Sequence, residues 1–128
     1  MKVLILEDED ITREYFTRLA QSVPGVSAVK AAKTGEQALA LVSDFVPDLA
    51  LLDYELRGQH RNGLQVGTEI LKQAPQVKTA LISGYLPGHF SNQLLQPDGF
   101  LLKPIDKEQF IALVVCFVDG VPYCPIFC

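Results

Sequence analysis

Five residues of this chain could do chemistry together: Glu7, Asp8, Asp53, Ser83 and Lys103. Each closes or follows a short apolar run. Glu7-Asp8 follows Val3-Leu4-Ile5-Leu6, and Asp53 closes Leu49-Ala50-Leu51-Leu52. Ser83 follows Thr79-Ala80-Leu81-Ile82, and Lys103 follows Phe100-Leu101-Leu102. Clustered carboxylates repel one another unless a cation lies between them. A small hard cation, Mg²⁺ above all, suits one or two carboxylates together with water and a phosphate. An aspartate ending an all-apolar run is costly to bury without such a partner. Each residue also has a plainer reading. Glu7-Asp8-Glu9-Asp10 could simply place negative charge at a helix N-terminus, Ser83-Gly84 could be turn chemistry, and Lys103 could be a surface lysine beside Pro104, whose preceding peptide bond is open to the cis form.

The elements that must position these residues alternate in type. Val3–Leu6, Ser27–Ala31, Leu49–Leu52, Thr79–Ile82 and Phe100–Leu102 read as strands. Between them run helical patterns: Ile11, Tyr15, Phe16 and Leu19 in the first, then Ala38, Leu39, Val42 and Phe45 after a Thr34/Gln37 capping box. Asn62-Gly63 opens a third helix carrying Val66, Ile70 and Leu71. A short fourth is expected from about Phe90 to Leu95, and Asp106 caps a last one with Phe110, Leu113, Val114 and Phe117 inward. Repeated strand–helix alternation implies a parallel sheet with right-handed crossovers. The fold class is α/β: a flavodoxin-like doubly wound sheet of five strands, order 2-1-3-4-5, with five helices. In that order the first and third strands are neighbours, and Glu7, Asp8 and Asp53 converge outside their carboxyl ends.

Composition bounds the rest. At 128 residues, 48% apolar and 20% charged, the chain is one domain and not a disordered tail. With 11 Lys+Arg against 15 Asp+Glu the net charge is −4, which gives no basic footprint for nucleic acid. No apolar run approaches the ~20 residues that cross a bilayer, and no signal peptide precedes the first strand, so no membrane and a cytoplasmic location are expected. The three cysteines, Cys116, Cys124 and Cys128, lack metal-ligand spacing and read as reduced thiols. Residues 1–118 form the expected domain; 119–128 are an apolar tail twice broken by proline, with no assigned role.

In order along the chain, Leu6-Glu7-Asp8-Glu9, Pro47-Asp48-Leu49-Ala50-Leu51-Leu52-Asp53, Leu81-Ile82-Ser83-Gly84 and Gly99-Phe100-Leu101-Leu102-Lys103-Pro104 resemble the receiver domain of two-component response regulators. The resemblance runs from Lys2 to about Phe117. It implies that Asp53 accepts a phosphoryl group from the phosphohistidine of a sensor histidine kinase or phosphotransfer protein, since a carboxylate can act as a covalent nucleophile. It implies that Glu7, Asp8, Asp53 and the backbone carbonyl of Glu55 hold Mg²⁺. Ser83 and Lys103 would contact the attached phosphoryl group, and the rotamer of Phe100 would follow Ser83. The face of the fourth helix, fifth strand and last helix would then change, and there a second copy of the chain would pair. Such a protein is a signalling switch that assists its own phosphorylation, not an enzyme in the usual sense.

Two departures stand out. Where the family usually has proline four residues after the acceptor, this chain has Arg57, and the loop Arg57–Gly63 is longer than usual. Tyr85 is bulky and flanks the site, while His60 and His89 read as exposed loop residues. Two other classes compete with the switch: a receiver-like binding module that works without phosphorylation, and a Mg²⁺-dependent phosphatase with an aspartyl nucleophile. Asp53-Tyr54-Glu55 loosely matches the Asp-x-Asp of the latter, but lies mid-chain with no cap domain.

Overall fold

A computed structural model of the chain describes residues 1–90 and 95–121. Its elements are β1 (Lys2–Leu6), α1 (Asp10–Gln21), β2 (Ala28–Ala32), α2 (Gly35–Phe45), β3 (Leu49–Asp53), α3 (Gly63–Gln73), β4 (Lys78–Ser83), a 3₁₀ turn (Pro87–Phe90), β5 (Gly99–Leu102) and α4 (Lys107–Asp119). The strands form one parallel sheet in the order β2-β1-β3-β4-β5. All five residues of β3 are buried, as expected of an unbroken apolar run at the centre of a sheet covered on both faces.

Alternation along the strands divides the core in two. Leu4, Leu6, Ala50, Leu52 and Leu81 face α2 and α3. Val3, Ile5, Leu49, Leu51 and Ile82 face α1 and α4, where Phe16 stacks on Phe110 at 5.0 Å between ring centroids. Side-chain caps start three of the helices. Thr34 accepts from the Gln37 N–H, Asp106 from the Glu108 N–H, and Asn62 forms a full capping box with Gln65. The Thr34 box is only half made, because Gln37 Oε1 accepts from the Lys33 N–H, one residue early.

Two expectations need correction. In α1 the inward face is Phe16, Leu19 and Ala20, while Ile11 is 81% exposed and Tyr15 lies largely open. The described residues hold four α-helices, not five. The expected fourth, from about Phe90 to Leu95, falls mainly on residues 91–94, outside the described residues, as does the tail beyond Val121 with Cys124 and Cys128. Cys116 is a free thiol. Among the described residues no helix is long and apolar enough to cross a membrane.

Candidate functional site

Strand register assembles the acids. Leu6 pairs with Leu52, so the next residues of β1 and β3, Glu7 and Asp53, lie side by side. Glu7 N–H bonds to the Ala32 carbonyl, continuing the ladder one residue beyond β1. Glu7, Asp8 and Asp53 each offer a carboxylate oxygen, and these oxygens all lie within 4.8 Å of one another. Glu7 and Asp53 are buried and Asp8 half-buried. Glu7 and Asp53 line a cavity of about 310 Å³ whose walls also include Tyr15, Glu55, Arg57 and Lys103.

Among the described residues, the only ion pair to any of these carboxylates joins Lys103 Nζ to Asp53 Oδ1, at 2.9 Å. The Lys103–Pro104 peptide bond is cis. Three acids and one lysine leave excess negative charge in a poorly solvated place, and the titration behaviour follows from that. Burial, and then the charge of Asp53, push Glu7 up to about 8, against an opposing hydrogen bond from the Glu9 N–H. Burial also raises Asp53, while Lys103 and the Glu7 hydrogen bond pull it back. Burial would lower Lys103, but its bond to Asp53 wins and raises it. A buried all-oxygen donor set that holds a proton for want of positive charge suits a hard divalent cation.

The remaining expected residues lie around this centre. Asp53 pairs with Ile82, which puts Ser83 one step further on the neighbouring strand. Ser83 is fully buried, and its Oγ accepts from the Tyr85 N–H at 2.8 Å. Glu55 is exposed; its N–H donates to Asp53 Oδ1 at 3.4 Å. Phe100 is half-buried on β5 and packs against Phe90 at 5.6 Å. Gly63 permits the assembly: a Cβ there would stand 2.2 Å from the Asp53 carbonyl oxygen, so only glycine lets α3 start against β3.

Three features escaped the sequence reading. The Arg57 N–H donates to Asp8 Oδ2 at 3.1 Å. Gln59 bridges to the loop before α2, accepting from the Gly35 N–H and donating to the Lys33 carbonyl. Tyr54, Tyr85, His89, Phe90 and Phe100 form a chain of ring contacts beside the site, with His89 stacked on Tyr85 at 4.3 Å. His89 and His60 are exposed, as expected. The glycine after Arg57 was the available signal for a tight turn; main-chain donors leave no mark in side-chain pattern.

Known proteins resemble this chain in sequence and in fold. The family model described as the response regulator receiver domain matches residues 3–115. The response regulator GacA of Pseudomonas aeruginosa is 27% identical over 116 residues, 89% of this chain and 53% of that protein. The positive alginate biosynthesis regulatory protein of the same organism is 32% identical over 111 residues, 84% of this chain and 43% of that protein. The chain thus spans about half the length of the curated relatives it matches. The signal receiver domain of NarL from Mycobacterium tuberculosis superposes with a TM-score of 0.78 at 30% identity, covering 93% of this chain and 96% of that one. A LuxR-family two-component response regulator from Aurantimonas shares the fold at a TM-score of 0.84, with 19% identity, covering 98% of this chain and 90% of that one. The chain belongs to the response regulator receiver domain family of two-component systems.

Proposed function

We propose that this receiver domain is a phosphoryl-accepting switch with Asp53 as the acceptor. The observation that carries the reading is the meeting of Glu7, Asp8 and Asp53 beside Lys103 at an open cavity. An Asp53 carboxylate oxygen attacks the phosphorus of a phosphohistidine; the P–N bond breaks and the imidazole leaves with the bond's electron pair. Glu7, Asp8, Asp53 and the Glu55 carbonyl would hold Mg²⁺, which supplies neutralising charge for the phosphoryl oxygens. Lys103 already lies 2.9 Å from Asp53 and can pair with the transferred group. Ser83 can donate its hydroxyl proton to that group, since its Oγ only accepts from Tyr85. The added charge of about −1.5 to −2 would draw these donors inward and bias the loops after β4 and β5. Phe100, packed on Phe90 between those loops, would change rotamer with them.

The phosphoryl donor is a sensor histidine kinase or a phosphotransfer protein, and the working unit is residues 1–118, acting in the cytoplasm. Incubation with acetyl phosphate and Mg²⁺ tests the reading by intact mass. A gain of one phosphoryl group, dependent on Mg²⁺ and lost in Asp53→Asn, is expected. No gain would favour a binding module that works without phosphorylation, and steady turnover of a phosphomonoester would favour the phosphatase.

A further inference from the structure

Arg57 stands at the first central position of a tight turn. The Gln59 N–H closes that turn on the Leu56 carbonyl at 3.2 Å, and Gly58 occupies the second central position at φ 70°. Among the described residues Val46 is the only non-glycine at positive φ, so Arg57 lies at negative φ. A negative first and positive second φ is the type II arrangement, whose first position favours proline. Proline, however, has no N–H to give. In this chain the Arg57 N–H reaches Asp8 Oδ2. The same loop is anchored on its far side by the two bonds of Gln59 to the loop before α2.

We infer that the Arg57 main-chain N–H is a positioning group for the metal site, fixing the Asp8 carboxylate as a ligand through a turn that Gln59 holds in place. This rests on the reading that Glu7, Asp8 and Asp53 hold a divalent cation. A hydrogen bond to one carboxylate oxygen sets the plane of the group and leaves the second oxygen for an ion; such supporting partners orient ligands and tune affinity. The Arg57 side chain acts in the opposite sense. It borders the same cavity, and its charge repels a cation.

Because proline suits the turn, two substitutions separate main chain from side chain. Arg57→Pro removes the N–H and the charge; Arg57→Ala removes only the charge. Calorimetric titration with Mg²⁺ in the absence of any phosphoryl donor is expected to give about tenfold weaker binding for Arg57→Pro. Arg57→Ala is expected to bind as tightly as the parent chain or more tightly. Arg57→Pro within twofold of the parent, or Arg57→Ala weakened as much as Arg57→Pro, overturns the inference. A parent chain that binds no Mg²⁺ overturns the metal reading itself, and the inference with it. Amide exchange by NMR tests the bond without the proline variant. The Arg57 amide is expected to be protected, and Asp8→Ala to speed its exchange at least about tenfold. Exchange at the rate of an open loop in the parent chain contradicts the inference.

Discussion

Carboxylates lie at both edges of this sheet, and they are treated in opposite ways. At the edge where the strands begin, Asp48 Oδ2 accepts from the Lys2 N–H at 2.8 Å, and Asp98 Oδ2 from the Thr79 N–H at 2.9 Å. Backbone bonds return from Asp48 N–H to the Lys2 carbonyl and from Asp98 N–H to the Thr79 carbonyl. Each acid there closes the main chain of a neighbouring strand. At the edge where the strands end, Glu7, Asp8 and Asp53 face one another, with one lysine paired to Asp53. The first kind of acid stabilises the fold; the second costs stability and holds charge in readiness. Burial follows the same division: Asp48 and Asp98 are exposed, Glu7 and Asp53 buried and Asp8 half-buried.

The comparison can be broken most sharply by pH. One proton on Glu7 must leave before a cation binds, so Mg²⁺ affinity should rise roughly tenfold per pH unit well below 8 and level off above it, roughly fiftyfold between pH 6 and pH 8. The metal-free protein should behave inversely. Glu7 rises on folding from 4.5 to about 8, so across that window the folded state holds a proton that the unfolded chain has lost. The stability that Glu7 contributes is therefore fully present below about 4.5 and declines as pH climbs toward 8. Thermal melts of Glu7→Gln should lack this decline. A parent chain whose metal-free stability rises over that window would break the contrast.

The other edge should respond to substitution instead. Asp98→Ala leaves the buried Thr79 N–H without its acceptor and should cost about 1–2 kcal/mol in urea unfolding. Its Mg²⁺ affinity should match the parent chain, and a loss of both together would mean that the edges are coupled. The smallest effect belongs to Gln59→Ala. It loosens the turn carrying the Arg57 N–H without removing it, and should weaken Mg²⁺ by about threefold, as expected for one partly exposed hydrogen bond.

Much of this was legible in the sequence because strand ends are marked by abrupt changes of chemistry. The run Leu49–Leu52 followed by Asp53 suits a strand covered on both faces that delivers an acid to an edge. What the pattern could not supply was which edge positions are neighbours; that required strand order and the Leu6–Leu52 register. The apolar stripe of α1 is narrower than helical spacing alone suggests, since Ile11 and Tyr15 have that spacing yet stay exposed. Main-chain contacts were invisible for a different reason. A main-chain N–H is present in every residue but proline, so the bond from Arg57 N–H to Asp8 follows from loop geometry and not from residue type.

The most direct test of the central claim is to trap the acyl phosphate. Borohydride reduction after incubation with acetyl phosphate and Mg²⁺ converts a phosphorylated aspartate to homoserine, which peptide mass spectrometry locates. The account predicts homoserine at position 53 alone, and none when Mg²⁺ is withheld. Reduction at Asp8 or another carboxylate, or at position 53 regardless of the metal, would contradict it.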